Sequence, residues 1–185
     1  MKVIETALPE VKIIEPDVFG DDRGFFLETW QKQRYLDAGI GSENGFMQDN
    51  LSYSKKDVLR GLHYQYENTQ GKLVYVLQGS VFDVAVDIRK GSPNFGKWVG
   101  VDLTSENKRQ LYVPEGFAHG FCVTSETVLF AYKCTDTYNP KAEISIQWND
   151  PAIGIEWSVE SPALSEKDKS AKPLSEIEPQ LLRAY

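Results

Sequence analysis

Val58–Gly79 reads VLRGLHYQYENTQGKLVYVLQG, and it carries His63, one of only two histidines in the chain. Arg60 precedes that histidine and Lys72 follows it, at the start of the alternating apolar run Leu73–Leu77. Alternation over this length predicts a β-strand with a cation at its mouth. The second histidine, His119, lies in VPEGFAHGFCV, Val113–Val123, which is also Gly-punctuated and strand-like. The two stretches are expected to face one pocket.

Outward from this centre the pattern is almost entirely β. Leu73–Leu77 and Val81–Ile88 flank Gln78-Gly79-Ser80, which reads as a hairpin turn. Within the second run Phe82, Val84, Val86 and Ile88 share one face, and Asp83, Ala85 and Asp87 the other. Further strands are expected over Trp98–Leu103, Gln110–Val113, Gly120–Val123, Val128–Cys134 and Ile144–Trp148. Turn residues such as Gly91-Ser92-Pro93-Asn94 and Tyr138-Asn139-Pro140 separate them. Many short strands at this spacing imply a sandwich or barrel.

The first part of the chain is more mixed. Phe19–Gly24 has the composition of a turn, Phe25–Glu28 that of a short strand, and Phe46–Ser54 that of an extended segment. Thr29 is placed to cap a helix over Trp30–Ala38, stopped by Gly39. After Ser158 the tail is charged and Pro-interrupted, with a short helix expected after Ser165.

With 185 residues, 41% of them hydrophobic, the chain is expected to form one domain with a substantial core. A net charge of −7 argues against general affinity for nucleic acid or anionic membrane, and still permits a small anionic ligand held by local cations. No apolar run has the length of a membrane span, and the start lacks a secretory h-region. Cys122 and Cys134 sit in apolar strands and read as buried thiols. A cytoplasmic setting is therefore expected.

Arg60, Gln65 and Lys72 surround His63 in sequence and favour a functional role for it. Strict alternation puts Arg60 and His63 on opposite faces, unless a kink at Gly61 reunites them. His119 is either a turn-shaping residue or a pocket donor. Tyr132 shares a face with Phe130 and Cys134 and on pattern alone is a core tyrosine; Asp168 on pattern alone belongs to a helix cap. Metal binding is not expected: Gln65 stands two beyond His63, where a His-x-His pair would need a second histidine. Phosphate-loop, dinucleotide, Cys-x-x-Cys and nucleophile-elbow motifs are absent.

A set of ordered motifs carries more. They are FGDDRGFFLE (Phe19–Glu28), Gln48-Asp49-Asn50, LRGLH (Leu59–His63), QGKLV (Gln70–Val74), FDVAVDIR (Phe82–Arg89), VPEGFAHGF (Val113–Phe121) and the residues Ile144 and Gln147–Asp150. Together they resemble the dTDP-4-dehydrorhamnose 3,5-epimerase family, from about Ile4 to about Pro173. The resemblance implies a cupin-type jelly-roll barrel with short peripheral helices, acting as a homodimer without metal or cofactor on a dTDP-4-keto-6-deoxy sugar.

It also implies roles. His63 matches the base, Asp168 its carboxylate partner, Tyr132 the opposing acid and Lys72 the cation at the keto oxygen. Arg23, Phe26, Glu28, Gln48, Asp49, Asn50, Arg60, His119, Tyr138, Glu143 and Lys167 fall at substrate-binding positions, with Lys72. Many members have histidine after Gln-Asp-Asn; Leu51 here is expected to alter pocket polarity. The implied activity inverts carbons 3 and 5 of a 4-keto sugar. A mono-epimerase, a ketoisomerase or a silent sugar-binding cupin are the alternatives.

Overall fold

The computed structural model describes residues 1–185. The alternating runs form two antiparallel sheets. The first contains β1 (Lys2–Glu5), β2 (Lys12–Glu15), β5 (Gln48–Lys55), β7 (Lys72–Gln78), β10 (Gln110–Val113) and β12 (Thr127–Cys134), in the order β1-β2-β10-β7-β12-β5. The second contains β6 (Leu59–Gln65), β8 (Ser80–Asp87), β9 (Trp98–Thr104), β11 (Phe117–Val123) and β13 (Glu143–Ser145), in the order β13-β6-β11-β8-β9. The hairpin of β3 (Val18–Asp21) and β4 (Gly24–Leu27) stands apart as a third, two-stranded unit. Helices are short: α1 (Lys32–Asp37) and α2 (Glu166–Lys169). This is the expected cupin-type jelly roll, and no helix is long and apolar enough to cross a membrane.

Apolar side chains from both sheets meet in one core, with Val74, Val76 and Phe130 on one side and Val81, Ala85 and Phe121 on the other. Strand β8 is buried on both faces. Val84, Val86 and Ile88 point outward and are covered by Ile146, Ile153 and Leu174, so the C-terminal tail completes a second core. The face division expected for β8 is thus realised, with the added fact that neither face is wet. Cys122 and Cys134 are free and buried, as expected.

Several expectations are corrected. Gln78-Gly79-Ser80 is not a hairpin: β7 pairs with β10 and β12, whereas β8 pairs with β9 and β11. Gly79 is the corner where the chain leaves one sheet for the other. Its φ is +85°, and a Cβ there would lie 2.1 Å from the Thr127 carbonyl oxygen, so only glycine fits. The first helix begins at Lys32 with Gln31 as its cap, the Gln31 side chain accepting from Arg34 N at 2.7 Å. Trp30 is excluded from the helix and packs instead against Tyr35 and Phe46. Most of Phe19–Gly24 belongs to strands, the turn narrowing to Asp22 and Arg23. Strand β11 starts at Phe117, three residues early, and is buried along its whole length. The last strand stops at Ser145; Trp148 lies beyond it and its carbonyl accepts from the Trp157 indole. The helix after Ser165 forms as expected.

Candidate active site

Between the sheets, at the end where β5, β6, β7 and β12 open, lies a cavity of about 320 Å³. That is within the range that holds a small ligand. Strand β5 presents Gln48, Asn50 and Ser52 to it, β6 presents Arg60, His63 and Gln65, β11 presents His119 and Phe121, and β12 presents Phe130, Tyr132 and Cys134. Lys72, Tyr138 and Glu143 complete the wall.

The kink that alternation alone left open is a β-bulge. His63 faces His119 and Arg60 faces Phe121, so Gly61 and Leu62 together oppose the single residue Gly120. One extra residue reverses the alternation and returns Arg60 and His63 to the same cavity. Gly61 has φ of +120°, and a Cβ on it would sit 2.6 Å from the Gly120 Cα.

His63 Nε2 lies 2.7 Å from Asp168 Oδ1, and its Nδ1 lies 4.0 Å from Glu143 Oε1. Asp168 is presented by α2, whose N-cap Ser165 accepts from the Asp168 backbone N–H and donates to Asp168 Oδ2 at 2.9 Å. Asp168 is thus the third residue of a capped turn and also hydrogen-bonds His63. Burial works against the charged Asp168, but His63, Ser165 and Lys167 outweigh it and hold its pKa below the ordinary value. Glu143 behaves alike: burial opposes its charge, while the Lys167 ammonium at 2.8 Å, the Tyr138 hydroxyl at 2.8 Å and His63 lower its pKa.

Tyr132 and Lys72 come from the first sheet and face His63 across the cavity. Burial, and then Cys134, push the Tyr132 phenol upward, with Arg60 opposing, so it stays protonated at neutral pH. Burial pushes the Lys72 ammonium down, against Cys134 and Glu143. Arg60 donates to Ser54 Oγ at 3.1 Å. The Gln48 side chain bonds Asn50 and accepts from the Tyr138 backbone N–H, fixing the rim.

Other expected residues are not brought to this cavity. Asp49 points to the opposite face of β5, where it pairs with Lys133, because the residues on either side of it point inward. Leu51 shares that outer face and is 62% exposed, so it leaves the polarity of this cavity unchanged. Arg23, Phe26 and Glu28 lie on or beside the β3–β4 hairpin; Arg23 pairs with Asp21 and Glu28 with Arg34. Lys167 is at the rim and reaches the site through Glu143.

The parts played by Asp83 and Gln65 escaped the sequence reading. Asp83 is fully buried and pairs with His119 Nε2 at 2.9 and 3.1 Å. An aspartate between Phe82 and Val84 in a strand was the available signal, since a buried carboxylate requires a partner. Gln65 accepts from Asn139 N and donates to the Asn68 and Thr137 carbonyls, shaping the loop behind Tyr138. No group of three or more His, Cys, Asp or Glu side chains is arranged to hold a metal.

A jelly roll enclosing a carboxylate-backed histidine, an opposed phenol and a half-buried lysine defines a cupin built for proton transfer. The family model for dTDP-4-dehydrorhamnose 3,5-epimerase matches residues 5–176, and the chain belongs to that family. The Salmonella typhimurium dTDP-4-dehydrorhamnose 3,5-epimerase is 59% identical over 178 residues, covering 95% of this chain and 97% of that protein. The Neisseria gonorrhoeae epimerase is 54% identical over 99% of this chain, which spans only 56% of that longer relative. The Legionella pneumophila dTDP-6-deoxy-D-glucose-3,5-epimerase, solved with dTDP-4-keto-L-rhamnose, superposes with a TM-score of 0.96 at 56% identity, over 100% of this chain and 98% of that one.

Proposed function

We propose that the chain inverts carbons 3 and 5 of dTDP-4-dehydro-6-deoxy-D-glucose to give dTDP-4-dehydro-β-L-rhamnose. The observation that carries this reading is the facing of His63, backed by Asp168, against Tyr132 across one cavity. Both sugar protons are α to the ketone, so removal of either gives an enolate. With Nε2 engaged by Asp168, His63 Nδ1 is the nitrogen left to take the proton. Lys72 stabilises the enolate oxygen. Tyr132 returns a proton from the other face, which inverts the carbon. The chemistry is redox-neutral acid–base work and calls for no cofactor.

Arg60 supplies a cation for the diphosphate, and Gln48, Asn50, His119, Tyr138, Glu143 and Lys167 hold the sugar and nucleotide. In this reading residues 1–185 act as one domain in the cytoplasm, consistent with two free thiols. The working unit is a homodimer. Phe19, Phe25 and Phe26 are each more than 60% exposed on the β3–β4 hairpin, an apolar patch that a second copy would cover. Such a copy would receive Arg23, Phe26 and Glu28 into its cavity.

The test is proton NMR of the 4-keto sugar in deuterated water. His63→Asn should stop deuterium entry at both carbons while nucleotide binding persists. Tyr132→Phe should leave some exchange without full inversion. Normal epimerisation at both carbons by both variants would remove these residues from the chemistry, and exchange at a single carbon by the wild-type protein would identify a mono-epimerase.

A further inference from the structure

Asp83 has no part in the chemistry above, and its burial needs explaining. It is 0% exposed, flanked by Phe82 and Val84, and both of its carboxylate oxygens contact a single partner, His119 Nε2. A buried carboxylate with one partner is a poor stabiliser; an apolar side chain of similar size would serve the fold at least as well. The positive consequence of the pair lies in the cavity. The ring of His119 lies near-parallel to the Phe130 ring, with centroids 6.5 Å apart and planes inclined at 19°. Its backbone stands directly across the sheet from His63. Asp83, contacting Nε2 through both oxygens, limits the rotation of the ring.

We infer that Asp83 is a positioning residue, which fixes a proton on His119 Nε2 and so makes Nδ1 the ring atom offered to the sugar nucleotide. The inference rests on the epimerase reading for its substrate, but the ring state can be measured without turnover. The cavity then holds two imidazoles, each anchored at Nε2 by an aspartate: His63 by Asp168 on α2, and His119 by Asp83 on β8. The anchors differ in reach. Asp168 sits at the cavity's edge on a short helix, whereas Asp83 is locked inside the second sheet. His119 is accordingly the rigid ring of the two, suited to orienting the sugar nucleotide.

The experiment has two arms. Because the chain has only two histidines, ¹⁵N-histidine labelling yields four ring nitrogens, assignable with His63→Asn. In the wild-type protein His119 Nε2 should be protonated, and addition of unreactive dTDP-L-rhamnose should move the Nδ1 resonance. A bare Nε2, or a ligand response confined to Nε2, overturns the assignment. The second arm is a double-mutant cycle on turnover with Asp83→Asn and His119→Asn. If Asp83 acts through His119, its replacement lowers kcat/KM about tenfold or more in the wild-type background and has little effect when His119 is already Asn. Equal losses in both backgrounds, no loss in either, or a loss that follows a fallen melting temperature would each reject the role. If Asp83→Asn does not fold, the wild-type ring spectrum still decides. Absence of epimerisation by the wild-type protein would defeat the epimerase reading while leaving the ring assignment testable.

Discussion

In the proposed mechanism Lys72 is a residue at which stability and chemistry pull in opposite directions. It opens β7, lines the cavity, and burial lowers its pKa from the ordinary 10.5. A lowered pKa means that folding penalises the ammonium. The penalty is fully present below the folded-state pKa and is relieved as pH rises from there toward the unfolded value. Replacing the group should therefore stabilise the protein at neutral pH, and the gain should shrink at alkaline pH. Lys72→Met is expected to raise unfolding stability at pH 7. In the proposed mechanism the same change removes the cation at the developing enolate, so kcat should fall by roughly 100-fold or more. Urea unfolding at neutral and alkaline pH, alongside turnover, measures both. A variant that loses stability at pH 7 would show that the ammonium is well solvated and supports the fold.

At the scale of elements, β6 and its bulge decide the site. Without the extra residue opposite Gly120, Arg60 and His63 would face opposite sides of the sheet. Gly61→Ala places a methyl group against backbone atoms, 2.6 Å from Gly120 Cα and 2.7 Å from the His119 carbonyl oxygen, at a φ of +120°. Backbone neighbours cannot rotate away, so the expected cost is about 3 kcal/mol or more in urea unfolding. Should the variant fold with unchanged stability and turnover, the β6–β11 pairing would be looser than its register implies. Alternation and composition made most strands legible, and Gly61 was visible as a place for a kink. What they could not reveal was partnership between strands. A glycine between two apolar runs looks the same whether the runs pair, as in a hairpin, or part into different sheets, as at Gly79. Period two also assigns a face without saying what lies behind it. Asp49 and Asp83 are both strand aspartates. One meets Lys133 at the surface and the other His119 in the interior, a difference set by residues 84 and 36 positions away. His63 and Asp168 are 105 residues apart, and the family motifs, not the local pattern, joined them. The start of α1 was misread for a local reason: Trp30 gains more from packing on Tyr35 and Phe46 than from a helical turn.

At the scale of the molecule, the β3–β4 hairpin projects from the barrel with Phe19, Phe25 and Phe26 exposed, and it carries Arg23, which this chain keeps out of its own cavity. An isolated two-stranded hairpin is marginal in water, and a patch of this kind favours burial against another copy. A two-fold axis would make the exchange reciprocal, each hairpin closing the other's site. Mixing two damaged chains tests this. One carries His63→Asn, which disables its own cavity but keeps an intact hairpin. The other carries Arg23→Ala with Phe26→Ala, which keeps an intact cavity but spoils the hairpin it lends. In a mixed dimer one site combines the sound cavity with the sound hairpin, and the other site combines both lesions. After subunit exchange at equal concentrations half the dimers are mixed, so the expected recovery is about a quarter of wild-type turnover. If Arg23 and Phe26 instead serve their own cavity, no mixed dimer contains an intact site beyond those already present. Turnover would then stay at the average of the two separate variants. Size-exclusion and light-scattering mass on each variant must first establish that dimers persist, because a monomeric Arg23→Ala/Phe26→Ala chain would place both residues in the interface itself. Recovery above the average would tie the exposed hairpin, the paired subunits and the complete sugar-nucleotide site into one arrangement.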